Sequence, residues 1–276
     1  MKSLSWAWIL GWLLIGVVTG LAAWHGFPSL APLNSHGPLI ADQPPGTEWG
    51  LRCQQALAAD RPQQALENCD RALALNENNL TYRLNRGVAR YRLGEYLGAF
   101  QDADQVLTLA PQDHRAYYNR GLAQVAMHNF AAAIQDFDQA AKLSADSESL
   151  AEIYDDRGLA KLMAAQPAAA IQDFDRALAL NPQDVRTWFN RGCACHQMGQ
   201  VGAALANFNR VLQLDPDHAR TYLNRGLLRR SLGDLRGGEA DLLESAHWAQ
   251  VQGQQDLHHY ILTVLNQWQR ATVSWG

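Results

Sequence analysis

Five times the chain writes Asn-Arg-Gly at nearly one spacing, once with Asp in place of Asn. The triplets are Asn85-Arg86-Gly87, Asn119-Arg120-Gly121, Asp156-Arg157-Gly158, Asn190-Arg191-Gly192 and Asn224-Arg225-Gly226, so their glycines stand 34, 37, 34 and 34 residues apart. A catalytic motif is needed once. A motif repeated at a fixed period marks stacked units, none of which buries its apolar face alone.

Other columns share the period. Four residues before the glycine stand Trp49, Tyr117, Tyr154, Trp188 and Tyr222, with Arg83 as the exception; twelve after it stand Ala65, Ala99, Ala133, Ala170, Ala204 and Gly238. Sixteen after it come Phe137, Phe174, Phe208 and Leu242, and Pro111, Pro182 and Pro216 follow farther on. Together these columns resemble the tetratricopeptide repeat, a helix–turn–helix unit, over residues 46–252 in six copies: 46–79, 80–113, 114–150, 151–184, 185–218 and 219–252. The resemblance implies an all-α, right-handed α-solenoid of helix pairs A and B. In the first copy Cys53 takes the glycine column and Cys69 the phenylalanine column.

Each column has a physical reading. Gly121 is expected to face Ala133, letting two helices touch, while the aromatics fill the space beside that contact. Gly94, Gly199 and Gly233 mark the A-to-B turn, where a left-handed backbone is needed. Proline stops helix B. The three extra residues before Gly158 fall in the polar stretch Ser144–Ser149, read as a loop. Leu257, Ile261, Val264, Leu265 and Trp268 share one helical face, which predicts a capping helix over Gln254–Gln269 within a closing segment 253–276.

Arg52, Arg86, Arg120, Arg157, Arg191 and Arg225 form a column matched, sixteen residues on, by Asn68, Asp102, Asp136, Asp173, Asn207 and Asp241. A guanidinium accepts a planar two-point partner, so a repeated Arg–Asp pair is expected. The other reading is an anion-binding array. The asparagines sit on helix A, which lines the concave surface in the family, and an amide can pair with the backbone of an extended peptide without reading its sequence. Asn85, Asn119, Asp156, Asn190 and Asn224 are therefore candidate peptide-binding residues, similar to the ladder of the O-linked N-acetylglucosamine transferase superhelix. Tyr118, Phe189, Leu122 and Leu227 are their candidate apolar neighbours. The alternative is that the amides satisfy nearby loops or helix ends.

Leu4–Trp24 is a separate object: 21 residues with no charge. As a helix it would be roughly 30 Å long, enough to span a bilayer. Its length favours an uncleaved anchor over 1–24; cleavage near Gly20-Leu21-Ala22 is the alternative. Lys2 precedes the span and no Lys or Arg follows until Arg52, which leaves the N-terminus in the cytoplasm and the repeats on the far side, in a periplasm or lumen. Gly16 and Gly20 form a G-x-x-x-G pair that would let two anchors dimerise. Residues 25–45 carry five prolines and read as an extended linker.

The formal charge of −4 offers no footprint for nucleic acid. Cys193 and Cys195 cannot share a metal from one helix, His196 adds only a second ligand to Cys193, and no hydrolase or phosphate-loop motif is present. No cofactor, metal or catalytic residue is expected, and the chain is not read as an enzyme. The offset of about a helical turn between their columns argues against a Cys53–Cys69 bridge. The expected function is a membrane-tethered scaffold that binds a protein or peptide partner and assists assembly of a membrane complex. A permanent accessory subunit of a membrane-bound enzyme complex is the alternative.

Overall fold

The computed structural model describes residues 46–273. The anchor expected over 4–24, its Gly16/Gly20 pair and the linker over 25–45 lie outside them. Among the described residues there are thirteen α-helices and no strand. None of these helices is long and apolar enough to cross a membrane.

The helices are α1 (Thr47–Ala58), α2 (Pro62–Leu75), α3 (Leu80–Arg92), α4 (Tyr96–Leu109), α5 (His114–Ala126), α6 (Phe130–Leu143) and α7 (Ser147–Met163) in one compact unit ending at Ala164. A second unit from Ala165 holds α8 (Pro167–Leu180), α9 (Val185–Gln197), α10 (Val201–Leu214), α11 (Ala219–Ser231), α12 (Leu235–Val251) and α13 (Gln255–Val273). In the first unit the odd-numbered helices are the A helices and also touch one another in order. The capping helix α13 begins one residue later than expected and runs four further.

The helix ends follow from local chemistry. Each A helix from α3 onward starts on a side chain that accepts from its own first turn: Asn79 from Tyr82 N at 3.0 Å, Asp113 from Arg115 N at 3.0 Å, Asp184 from Thr187 N at 3.1 Å and His218 from Thr221 N at 3.3 Å. Asp146 does the same for α7, accepting from Ser149 N at 2.8 Å. That cap draws Ser147, Glu148 and Ser149 into α7, so half of the expected loop is an additional helical turn. Pro62 and Pro167 open α2 and α8, where a missing N–H costs nothing. The A-to-B turn has φ of +81° at Gly94, +69° at Gly199 and +87° at Gly233. At the same place in the other copies stand Asp60, His128 and Ala165, also left-handed, at +52°, +62° and +58°.

The glycine column meets the residue twelve on, as expected: a Cβ at Gly226 would stand 2.9 Å from Gly238 O and one at Gly87 3.5 Å from Ala99 O. At Gly121, Gly192 and Gly226 it also makes room for the residue sixteen on. A Cβ at Gly121 would stand 2.8 Å from the Phe137 ring, one at Gly192 2.6 Å from the Phe208 ring, and one at Gly226 2.5 Å from Leu242 Cδ1. Phe137, Phe208 and Leu242 are all 0% exposed. The two columns therefore face each other across the α5–α6, α9–α10 and α11–α12 pairs. This corrects the reading of the first copy: Cys53 and Cys69 meet in the same way and are joined as a disulfide, with their Cα atoms 5.3 Å apart.

Candidate peptide-binding face

The arginine of each triplet is a bridge between helix pairs. Arg120 donates from Nε to Asp136 Oδ2 at 2.8 Å and from NH2 to Asp136 Oδ1 at 2.7 Å, within its own pair. Its NH1 reaches back to Asp104 Oδ1 of the preceding pair at 2.6 Å. Arg86 repeats this with Asp102 and Asp70, and Arg225 with Asp241 and Asn209. Arg191 binds Asn207 and Asp175, and Arg157 reaches back to Asp138. The backward acceptors, Asp70, Asp104, Asp138, Asp175 and Asn209, are a column that sequence reasoning missed. Their signal is the residue two after the first acceptor, as in Asp102-Ala-Asp104.

The aromatic column lies against the same guanidinium. Arg120 stands 5.6 Å from the Tyr117 ring centroid, Arg157 5.1 Å from Tyr154 and Arg225 5.5 Å from Tyr222. Each of these arginines is thus held by ring face and carboxylate together, and the anion-array reading gives way to structural pairing. Where Arg90 and Arg229 follow one turn on, they add a second cation to Asp102 and Asp241, both at 2.9 Å.

The asparagine column divides between the two units. In the first, Asn85 and Asn119 are half-buried on α3 and α5, and among the described residues neither amide has a hydrogen-bond partner. Asp156 is buried and accepts from the Tyr118 hydroxyl at 2.6 Å, tying α7 to α5. Leu122 is half-buried against the Phe137 cluster. In the second unit Asn190 is 2% exposed and Asn224 8% exposed, the latter with its amide 4.0 Å from Cys193 Sγ.

Of two further apolar candidates, one is buried in the core and the other partly buried against it. Phe189 is 3% exposed, with its ring centroid 6.1 Å from Phe208 and 5.3 Å from His218. Leu227 packs against the cluster that α13 builds with Ile261, Val264 and Leu265. The capping helix thus covers a residue expected to face a groove, a contact that the repeat pattern alone does not announce.

The remaining polar groups are arranged for packing. Asn207 donates to Cys195 Sγ at 3.6 Å. Burial, then the neighbouring Cys195, push the Cys193 thiol up to about 12, and burial pushes Cys195 up as well. Burial lowers His196. No group of three potential metal ligands converges among the described residues.

Residues 54–114, 114–147 and 185–218 match tetratricopeptide-repeat family profiles. Solved structures share the fold. YrrB, described as a TPR protein with an unusual peptide-binding site, superposes with a TM-score of 0.55 at 22% identity, covering 72% of this chain and 100% of its own. MamA of Desulfovibrio magneticus RS-1 gives 0.55 at 21% identity, covering 63% and 96%. PilF of Pseudomonas aeruginosa gives 0.66 at 16% identity, covering 79% and 96%. At these identities the likeness is one of fold. No curated protein matches the chain by sequence.

Proposed function

We propose, from the premise that this chain carries tetratricopeptide repeats, that it is a protein-binding scaffold whose recognition face lies on the A helices of the first unit. The observation that carries this reading is the pair Asn85 and Asn119, half-buried amides in one column with no partner among the described residues. A half-buried amide with no protein partner stays open to water, and an extended peptide backbone can take the water's place as both donor and acceptor. Tyr118, anchored by Asp156, stands beside Asn119 as a rigid aromatic. The description of YrrB as having a peptide-binding site lends support by analogy of fold.

The scaffold is tethered through residues 4–24, with the repeats on the far side of the membrane from a cytoplasmic N-terminus, and it assists assembly of a membrane complex. Support for the tether is the uncharged run of 21 residues. The exposed leucines Leu75 and Leu109, 56% and 58% accessible at the ends of α2 and α4, favour the second reading, a permanent subunit packed along its B helices.

Crosslinking pull-down from solubilised membranes identifies the partner, and the purified pair then gives an affinity. Asn85→Ala with Asn119→Ala removes two amides, each worth about 0.5–1.5 kcal/mol, so binding is expected to weaken roughly 5- to 150-fold. Unchanged affinity overturns the recognition face. Loss on Leu75→Ser with Leu109→Ser instead establishes the subunit reading. Carbonate washing tests the tether separately: release of the chain into the supernatant excludes it.

A further inference from the structure

The four cysteines sort into two kinds. Cys53 on α1 and Cys69 on α2 are both 0% exposed and joined to each other. Cys193 and Cys195 lie two residues apart on α9, are unpaired, and have thiols pushed up by burial. Protonated thiols are poor attackers of a disulfide, so these two do not compete for the first pair.

The bridge lies in the first of the described repeats. Among the described residues no helix pair precedes Arg52; its hydrogen bond is to Glu48, one turn away, and its side chain is 51% exposed. The first helix also starts at Gly46 without a side-chain cap. The tight glycine–phenylalanine contact of α5–α6 and α9–α10 is absent here, as it is in α3–α4, where Ala103 stands sixteen after Gly87. What holds α1 to α2 in its place is the cystine, in the same two columns.

We propose that Cys53–Cys69 is a maturation bridge that closes the N-terminal repeat, and that the repeat domain folds and works in an oxidising compartment. Such bridges persist in a periplasm, an organelle lumen or outside the cell, and are rare where glutathione and thioredoxin keep thiols reduced. The chemistry is thiol–disulfide exchange with a disulfide-form oxidase protein of that compartment. One cysteine thiolate attacks the oxidase disulfide to give a mixed disulfide. The second displaces it, so the Sγ–Sγ bond forms, both thiols lose their protons, and two electrons leave with the oxidase as its dithiol. This inference deepens the far-side placement proposed above but rests on the bridge rather than on Lys2.

The test uses the full chain in intact cells, quenched with acid, denatured and treated with a maleimide carrying a polymer tag. Two adducts are expected without reductant, from Cys193 and Cys195, and four after reduction; four without reductant overturn the proposal. The C53A/C69A variant must give two adducts in both cases. On the purified full chain, protease should nick residues 46–75 on the order of 100-fold faster in the reduced protein and in C53A/C69A, leaving α3 onward intact. Equal resistance with and without the bridge removes its closing role. Thiol counts are independent of partner binding. Four reactive thiols together with weakened binding in N85A/N119A would therefore remove the compartment and leave the scaffold standing.

Discussion

Arg120 grips Asp136 with two parallel hydrogen bonds, 2.8 Å from Nε and 2.7 Å from NH2, and still has a nitrogen 2.6 Å from Asp104 of the preceding pair. The two partners are unequal. Asp136 has a side chain 7% exposed, whereas that of Asp104 is 52% exposed. Removing the arginine strands a buried carboxylate, which typically costs about 3–5 kcal/mol. Asp104→Ala removes only a screened outer contact, worth about 1 kcal/mol or less. Arg120→Lys is expected to fall near the alanine variant, because an ammonium cannot fork to both oxygens. Urea unfolding of the three variants checks the order, and similar losses for Arg120→Ala and Asp104→Ala would contradict it.

The turn column gives a prediction of opposite sign. His128 and Ala165 hold left-handed backbone at φ of +62° and +58°. Where glycine occupies this place, at Gly94, Gly199 and Gly233, an added Cβ meets nothing within 4 Å, so the cost is one of backbone conformation alone. A non-glycine residue pays about 1–2 kcal/mol to sit there, partly offset by the extra freedom glycine has when unfolded. His128→Gly and Ala165→Gly should each stabilise by about 0.5–1 kcal/mol, and Gly199→Ala should destabilise by a similar amount. Thermal unfolding of the three variants decides it.

The left-handed turns at Gly94, Gly199 and Gly233, the proline stops and the capping helix were legible because each is set by a residue type or pattern with one dominant local preference. The same turn at Asp60, His128 and Ala165 carries no such residue. The pairing of Arg86, Arg120 and Arg225 with Asp102, Asp136 and Asp241 was legible too, since both columns keep their period, whereas Arg52 bonds Glu48 on its own helix. What sequence reasoning missed was three-dimensional. That Gly121 also makes room for Phe137 depends on how deeply the ring inserts, and periodicity carries no depth. The same gap hid the Cys53–Cys69 contact. Exposure of the asparagine column was equally hidden: Asn119 and Asn224 have identical neighbours in the Asn-Arg-Gly triplet, yet Asn224 is buried and Asn119 half-buried.

His218 makes stability depend on pH. Its Nδ1 lies 3.3 Å from Thr221 N and 2.7 Å from Thr221 Oγ1, capping α11 as an acceptor, which needs the neutral ring. Burial, then the positive charge of Arg220, push it down to about 4, against the pull of Asp217. The unfolded chain takes the proton near pH 6.5, so between about 6.5 and 4 it binds a proton the native state refuses. Stability falls as pH drops through that window, by roughly 3 kcal/mol in total, and is unaffected by this group above it. Asp215, pushed up to about 6 by burial and by Asp217, acts in the opposite sense: the native state keeps a proton the unfolded chain has released. The wild-type slope therefore mixes both, and His218→Asn, which caps without titrating, isolates the histidine. Identical pH slopes in variant and wild type would discard the assignment.

The asparagines should part company in the same assay. Asn190 and Asn224 are 2% and 8% exposed, so alanine there removes a polar group from a packed interior and leaves a small void. Each is expected to cost about 1–3 kcal/mol, within the range for losing buried hydrogen bonding. Asn85 and Asn119 are half-buried with no partner among the described residues, so alanine there removes no internal bond. Their substitution should stay within about 0.5 kcal/mol, or stabilise slightly, because alanine is the better helix former. Urea midpoints for the four single variants separate the two classes. A large loss at Asn119 would make its amide a structural group and withdraw it from the recognition face. Neutrality at Asn190 would mean that burial there demands no amide, and that one column of the triplet serves neither packing nor binding in the second unit.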